Sequence, residues 1–126
     1  MRVKSKVNVQ IYETTAQTDA LFKPDDTNAE VNFDTYNEQA SGRFALAASG
    51  STALSLGTVT AVAGIYIRTT GNFDVVINGG DTIQIRRPAN STNALKFYMD
   101  GVVTSVTITN ASGTAALAGW YAIWGD

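Results

Sequence analysis

The sequence predicts an all-β protein, a single antiparallel β-sandwich domain of about eight to nine strands spanning residues 1–126. In the second half, from Ile65 to Trp124, Thr, Val and Ile recur in short runs separated by Gly- and Asn-rich turns. Asn-Gly and Asp-Gly favour the positive φ angles of tight hairpin turns, so each run is predicted as a strand. No amphipathic helix pattern competes. The predicted turns are Thr70-Gly71-Asn72, Asn78-Gly79-Gly80, Asp100-Gly101 and Asn110-Ala111-Ser112-Gly113.

Composition limits the size and the partners of this domain. A chain of 126 residues with 44% apolar residues has room for one core. The net charge is −2, and the basic residues are spread thinly after Arg2, Lys4 and Lys6, which argues against nucleic-acid binding. The first residues lack the apolar part of a secretory signal, and no apolar run approaches the roughly 20 residues of a membrane helix. We therefore expect synthesis in the cytoplasm and no membrane partner.

The complete absence of Cys and His narrows the chemistry. Without Cys there can be no disulfide, no thiolate nucleophile and no Cys-ligated zinc site. Without His there can be no Ser-His-Asp or Cys-His unit, and acid/base catalysis loses its most common side chain. Paired carboxylates remain the main enzymatic route, and the prediction is no enzyme, no catalytic residues, no metal and no cofactor.

The first thirty-five residues carry weaker patterns. Val7, Val9 and Ile11 alternate with polar residues and predict a first strand, preceded by an N-terminal arm at residues 1–6. Residues 13–30 are predicted as a long loop, with a short helical turn around residues 18–22. Leu21 and Phe22, apolar in a polar segment, are its predicted anchor, because long loops in compact domains are usually functional or lie on another surface.

The remaining strands follow from β-branched residues and alternation. Val31 and Phe33 predict a second strand, and residues 43–47 a third, separated by the polar stretch 37–42. A weak strand followed by a turn is predicted within residues 49–62. Pro88 closes the strand before it, because proline cannot donate to a β-ladder. The later strands are predicted at residues 65–69, 73–77, 82–86, 95–99, 102–109 and 115–124.

Two segments could carry chemistry. Asp25, Asp26, Glu30 and Asp34 form the densest acidic set, which could supply a glycosidase-like carboxylate pair. The stretch from Asp25 to Glu30 could offer oxygen ligands to a calcium ion. The alternative is a solvated turn in which Asp and Asn bond their own backbone. The run Asn78 to Asp81 lies between two predicted strands, so it is interpreted as a tight turn rather than a phosphate-binding loop, which needs a following helix.

The aromatic residues of the second half suggest a surface role. Alternation places Trp120 and Trp124 on one face of the last strand, and Leu117, Tyr121 and Ile123 on the other. A strand that is apolar on both faces is either central in a sandwich or in contact with another chain. Arg86 and Arg87 are interpreted as a solvated strand end, although one of them could pair with a neighbour's carboxylate. A sugar-stacking platform could be formed by Tyr66, Phe73, Tyr98, Trp120, Tyr121 and Trp124.

Residues 73–124 contain a series of Thr-rich strand and turn segments, Val76-Ile77-Asn78-Gly79-Gly80, Thr82-Ile83-Gln84-Ile85, the run from Gly101 to Asn110, and Ser112-Gly113-Thr114-Ala115-Ala116. In these segments the chain resembles small virion structural proteins of tailed bacteriophages. The resemblance covers less than half of the chain. It implies a jelly-roll-like β-sandwich subunit that forms a homo-oligomer and sits in the virion, on a capsid or at the neck or tail.

The predicted function is a non-enzymatic capsid decoration or cement subunit on the outer shell of a bacteriophage particle. A neck or tail accessory protein, or a module that binds host glycan, is the alternative. The partners would be further copies of the chain and a capsid or other virion protein. Interface residues are predicted in the basic arm, in the long loop and in the last strand: Arg2, Lys4, Lys6, Leu21, Phe22, Trp120 and Trp124.

Overall fold

A computed structural model of the chain describes residues 2–4, 11–12, 20–22 and 33–126, and the side chains discussed below belong to residues 36–126. Contacts divide the chain into two units, Met1–Thr35 and Tyr36–Asp126. The prediction of one domain over residues 1–126 stays a prediction. The described residues are all-β, without a helix, and so include none long and apolar enough to cross a membrane.

The first unit contains four short strands, β1 (Arg2–Lys4), β2 (Ile11–Tyr12), β3 (Ala20–Phe22) and β4 (Phe33–Thr35). β1 pairs with β4 and β2 pairs with β3, both antiparallel. The helical turn predicted around residues 18–22 is wrong at its C-terminal end, because Ala20–Phe22 is the paired strand β3. The predicted strand residues 7–10, and the loop residues 13–19 and 23–30, lie outside the described residues.

The second unit contains the eight strands β5 to β12. Their runs agree with the β-branched and aromatic segments of the sequence, because such side chains pack well on a pleated sheet. The strands are β5 (Glu38–Leu46), β6 (Ser51–Ala53), β7 (Val62–Thr69), β8 (Phe73–Ile77), β9 (Thr82–Ile85), β10 (Leu95–Val103), β11 (Val106–Asn110) and β12 (Leu117–Gly125).

These strands form two antiparallel sheets of four strands each, as expected for a β-sandwich. Sheet I has the order β10-β7-β12-β5, and sheet II has the order β6-β11-β8-β9. Within the second unit, β5 pairs with β12, β6 with β11, β7 with β10, and β8 with β9 in a hairpin. This is the strand order of a jelly roll, one long antiparallel ribbon folded over itself. The predicted β-sandwich is confirmed.

The core lies between the inner faces of the two sheets. Ile65, Ile67 and Ile123 of sheet I and Phe73 and Ile108 of sheet II are completely buried. Every second residue of these strands faces inward, because side chains alternate along a strand. The core thus accounts for the inner face of β12, which is central in sheet I. The other buried apolar residues of this core are Leu46, Leu54, Val59, Val62, Val75, Val103, Val106, Leu117 and Tyr121.

Two predicted element boundaries are wrong. Residues 38–42, predicted as part of a polar separator, belong to β5, whose side chains alternate between half-buried and exposed up to Leu46. Asp100-Gly101, predicted as a turn, lies within β10, where the pairing with β7 shifts register between Asp100 and Val103. Gly101 takes a φ of +145° there, a value that glycine adopts without a steric penalty. The strand predicted at 102–109 therefore begins only at Val106.

The turn at the tip of the jelly roll is confirmed. Asn78 and Gly79 have φ values of +55° and +66°, and the Gly80 N–H donates to the Ile77 carbonyl at 2.9 Å. The Asn78 side chain also reaches the connection between β10 and β11. Its Oδ1 accepts hydrogen bonds from the Thr104 N–H at 2.6 Å and the Thr104 hydroxyl at 3.1 Å. Its Nδ2 donates to the Val102 carbonyl at 3.0 Å.

Candidate functional site

The outer face of sheet I carries a row of one aromatic and three basic side chains. In the strand register, Trp120 of β12 is opposite Arg43 of β5 on one side and Arg68 of β7 on the other. Arg68 is in turn opposite Lys96 of β10. We call Lys96, Arg68, Trp120 and Arg43 the Trp120 row. All four are exposed, and 42% of the Trp120 surface is accessible.

A second aromatic layer lies next to this row. Tyr66, two residues from Arg68 on the same face of β7, meets Trp120 edge to face with ring centroids 5.6 Å apart. Tyr98 lies opposite Tyr66 and its hydroxyl donates to Asp100 Oδ1 at 2.7 Å. The Tyr66 contact holds the Trp120 ring against the sheet while part of it remains exposed. The outer face of sheet I is thus aromatic at its centre and cationic on both sides of Trp120.

Trp124 lies on the same face but is buried, with 8% of its surface exposed. Its register partner on β7 is Gly64, and a Cβ placed on Gly64 would come within 2.6 Å of Trp124 Cε2. The ring therefore lies over the Gly64 backbone, beside Tyr98 at a centroid distance of 6.1 Å. Of the two tryptophans predicted as interface residues, only Trp120 presents a large exposed surface.

The basic side chains of residues 36–126 fall into two groups. Arg86 forms an ion pair with Asp74 at 2.7 Å and donates to the Phe73 carbonyl at 2.9 Å. Arg87 donates through Nε to the Asn93 carbonyl at 3.1 Å and through Nη2 to the Thr70 carbonyl. Arg43, Arg68 and Lys96 form no ion pair or hydrogen bond in the described part of the chain. Among residues 36–126, the cations without a structural partner are those of the Trp120 row.

Arg86 and Arg87 directly follow the end of β9 and the Arg86 side chain is 40% exposed, in agreement with a solvated strand end, but both residues also have partners within the chain. β9 ends at Ile85, and the two guanidinium groups bind neighbouring segments of the same chain. Arg86 reaches Asp74 because Gln84 of β9 is paired with Asp74 of β8, and Arg86 lies two residues further along the same face.

A shallow surface cavity of about 380 Å³ lies at the Trp120 row. Arg43, Arg68 and Trp120 line it, together with the small residues Ala94, Ala118 and Gly119 and the residues Thr69 and Thr70. A second cavity of about 380 Å³, lined by Arg68, Asn93, Ala94, Leu95 and Lys96, adjoins it through Arg68 and Ala94. Together the two cavities form a groove, here called the Trp120 groove, of the size that small-molecule sites have.

The proposed sugar platform is only partly present. Phe73 and Tyr121, predicted as members, face the core instead, and the Tyr121 hydroxyl donates to the Ser55 carbonyl at 3.3 Å. They lie on the inward faces of β8 and β12, so they cannot stack on a ligand outside the sandwich. Trp120, Tyr66, Tyr98 and Trp124 share the outer face, as the alternation of β12 predicts for the two tryptophans.

The other sequence predictions fall mainly on the first unit. Arg2 and Lys4 lie on β1, and Leu21 and Phe22 lie on β3. Lys6, Asp25, Asp26 and Glu30 lie outside the described residues, whereas Asp34 lies on β4. The carboxylate-pair and calcium alternatives thus remain untested. Within the described residues, no group of three or more acidic side chains is placed to hold a metal ion.

Sequence analysis missed Arg43, Arg68 and Lys96 as site residues. Their outward direction follows from alternation, since Arg68 lies between the buried residues Ile67 and Thr69. Their convergence on Trp120 depends on the order β10-β7-β12-β5, which joins strands far apart in the chain. No local pattern of the sequence encodes that order.

Comparison of the chain with protein-family models, with curated proteins and with solved structures gave no significant match in any of the three. The resemblance to virion structural proteins of tailed bacteriophages therefore stays a prediction.

Proposed function

We propose that this chain is a non-enzymatic structural protein of a bacteriophage particle, a decoration or cement subunit that binds the outer shell as a homo-oligomer. The observation that carries the proposal is the eight-stranded jelly roll of residues 38–125. Jelly rolls are the architecture of many viral capsid domains. The step from fold to function is an analogy at the level of the fold, so it needs a direct test on particles.

The use of polar side chains in the sandwich supports a structural role. Asn78 joins two turns, Asn110 joins two loops, and the Arg86–Asp74 pair joins β9 to β8. Each of these groups closes the fold instead of pointing into a common cavity.

The proposed mechanism is the summation of weak contacts by symmetry. Each subunit would make a small contact with the shell, and an oligomer would make several at once, which raises the apparent affinity without any new contact. Arg2, Lys4 and Lys6 are the proposed contacts with an acidic shell surface, with Leu21 and Phe22 as apolar anchors. Placement at the neck or tail is a variant that uses the same mechanism.

The test is to find the protein on particles. Particles from a host that carries the gene would be purified on a density gradient, and the copy number of the chain would be measured by quantitative mass spectrometry. We expect many copies per particle, in a fixed ratio to the major shell protein. Absence from purified particles, with the chain confined to the soluble fraction, would contradict the proposal.

The contact residues are tested by re-binding the purified chain to particles that lack it. Because Arg2–Lys4 is paired with Phe33–Thr35, the triple substitution Arg2→Ser, Lys4→Ser, Lys6→Ser is preferred to deletion. We expect it to lower shell occupancy. The matched control is the triple substitution Arg43→Ser, Arg68→Ser, Lys96→Ser, which removes equal charge from sheet I and should leave occupancy unchanged. Equal occupancy for the N-terminal variant and the unmodified chain would remove the basic arm from the contact.

A further inference from the structure

We infer that the Trp120 groove is a binding site for a saccharide that bears a carboxylate, such as a uronic or sialic acid residue. The inference goes beyond the proposed structural role and does not depend on it. Binding is a property of the isolated chain, whereas decoration is measured on particles. Each can fail while the other succeeds.

The cations of the Trp120 row favour an anionic ligand. Arg43, Arg68 and Lys96 lie in one register line with Trp120, and none of them has a partner within the described part of the chain. Arg68 and Lys96 are directly opposite each other on adjacent strands, and like charges in that position destabilise a sheet, so the pair has a cost for the folded chain. The cost is offset when an anion binds between them. A guanidinium group binds a carboxylate with two parallel N–H···O bonds, which gives direction as well as affinity.

The aromatic ring of Trp120 favours a saccharide. Trp120 is 42% exposed although its neighbours Tyr66 and Tyr121 are half-buried and buried. An exposed indole held by an edge-to-face contact offers a flat apolar surface beside polar groups. The apolar face of a pyranose ring can lie on such a surface while its hydroxyl groups reach Thr70 and the arginine side chains at the rim. Ala118, a small residue two positions before Trp120 on β12, leaves the space next to the ring open.

The position of the groove on the sheet favours a saccharide over a protein partner. A peptide usually adds to a sheet through backbone hydrogen bonds at an edge strand. The Trp120 groove lies instead on the outer face of sheet I, where its lining residues come from all four strands and from the segment before β10. The affinity for a ligand must therefore come from side chains. The surface of the groove is also far smaller than the area that a stable protein interface buries. A compact anionic ligand fits these conditions better than an extended peptide.

A second copy of the chain fits the groove poorly. A two-fold contact places the same surface patch on both sides of the interface. Through this groove it would bring Arg43, Arg68 and Lys96 of each copy close to the same cations of the other copy. The repulsion opposes the contact, whereas an anionic saccharide neutralises it.

The experiment measures binding by isothermal titration calorimetry and by tryptophan fluorescence with the full chain. One arm uses trigalacturonic acid and its methyl ester, which differ only in the carboxylates, and a second arm uses sialyllactose and lactose. We expect at least one acidic probe to bind, with an affinity that falls as salt is raised and at least about tenfold above its neutral counterpart. The arm that binds identifies the class of sugar acid. A hexaglutamate peptide serves as the probe for an acidic protein segment.

The variants test each part of the site. Arg68→Gln and Arg43→Gln should each weaken acid binding about tenfold or more, and Trp120→Ala should weaken it about tenfold. The controls are Arg86→Gln, which removes one positive charge from sheet II, and Val102→Ala, which truncates an apolar side chain that is 77% exposed. Both should keep the affinity, and thermal unfolding establishes that all variants are folded.

Four results would overturn the inference, and three of them are patterns of binding. They are equal binding of the acidic and neutral probes, unchanged affinity in both arginine variants, and binding of hexaglutamate without binding of either sugar acid. Absence of binding to every probe would overturn it as well. None of these results bears on whether the chain is found on particles.

Discussion

Asn110 shows how one polar residue holds two loops of the sandwich. It is 3% exposed, and its Nδ2 donates to the Ala47 carbonyl at 3.0 Å and to the Ala115 carbonyl at 2.8 Å. Its Oδ1 accepts from the Ser112 N–H at 3.0 Å. The amide thus satisfies backbone groups from both the β5–β6 and the β11–β12 connections. A buried polar group with all its partners adds rigidity, whereas one without them is costly.

We predict that Asn110→Ala lowers the free energy of unfolding by about 2–4 kcal/mol, because it leaves buried carbonyl and N–H groups without partners. Urea unfolding monitored by tryptophan fluorescence measures the change. Asn93→Ala is the matched control, since Asn93 is exposed and uses only its backbone in hydrogen bonds. It should change stability by less than about 0.5 kcal/mol. Equal effects of the two substitutions would refute the role given to the Asn110 amide.

Gly64 determines where Trp124 lies. A side chain at this position would occupy the volume of the indole ring, so Gly64→Ala must either displace Trp124 from the sheet or shift the β7 backbone. We predict a loss of about 1–3 kcal/mol in unfolding free energy, with a red shift in tryptophan emission as Trp124 becomes hydrated. Gly113→Ala is the control, since a Cβ there would have its nearest neighbour at 4.0 Å. An unchanged emission maximum in Gly64→Ala would show that the ring does not depend on this glycine.

The two tryptophans show what the sequence could predict at the scale of a residue. Strand periodicity placed Trp120 and Trp124 on one face, and the register confirms it. It could not distinguish the buried ring from the exposed one. That difference arises from the β7 residue beside each ring, Gly64 beside Trp124 and Arg68 beside Trp120. The pairing of β7 with β12 joins residues more than fifty positions apart, so no local pattern reports it.

At the scale of an element, the β8–β9 turn stabilises a second connection as well as its own. Asn78 supplies the positive φ that the turn needs, and its side chain bonds to Thr104 and Val102 at the β10–β11 connection. The β8–β9 turn and the β10–β11 connection, which are distant in sequence, are thereby held together at one end of the sandwich. The first role depends on the backbone and the second on the amide, so substitutions can separate them.

We predict that Asn78→Gly lowers the unfolding free energy by about 1–2 kcal/mol, because glycine keeps the positive φ but loses the amide bonds. Asn78→Ala should cost about 1 kcal/mol more, since alanine is strained in this conformation. Amide hydrogen exchange should show faster exchange at Thr104 in both variants. Asn90→Gly is the control, because Asn90 has a φ of +68° and no side-chain hydrogen bond in the described chain. A fully stable Asn78→Gly would mean that the amide contributes nothing.

Whether a predicted turn forms depends on whether the neighbouring strand of the sheet continues past it. Asn78-Gly79 ends a strand, as predicted, because β11, the other neighbour of β8, begins at Val106, which pairs with Ile77. Asp100-Gly101 has the same local chemistry, yet β10 continues through it, because Val103 still pairs with Val62 of β7. The ladder with β7 outweighs the local turn preference, and a bulge at Gly101 accommodates the mismatch. Local propensity decides a turn only where no neighbouring strand continues.

At the scale of the whole molecule, the two outer faces differ in chemistry. Sheet I presents the Trp120 row, whereas the outer face of sheet II carries mainly small polar residues such as Ser51, Thr107 and Thr109. The sequence predicted the all-β class and most strands of this sandwich, but not which residues share a face. Faces are defined by strand order, and strand order arises from pairings between the first and last strands of the ribbon. The Trp120 row could therefore not be predicted from the sequence.

This difference between the faces leads to a prediction about assembly. We expect native mass spectrometry of the purified chain to give a homo-oligomer, and Trp120→Ala to leave its subunit number unchanged, because the cations beside Trp120 oppose a symmetric contact there. Ile83→Ala is the comparison, since Ile83 is 41% exposed on β9, an edge strand of sheet II. A monomer in the unmodified chain would contradict the proposed oligomer. Dissociation by Trp120→Ala alone would place Trp120 in the subunit contact predicted from the sequence, and would exclude the saccharide from that surface in the assembled protein.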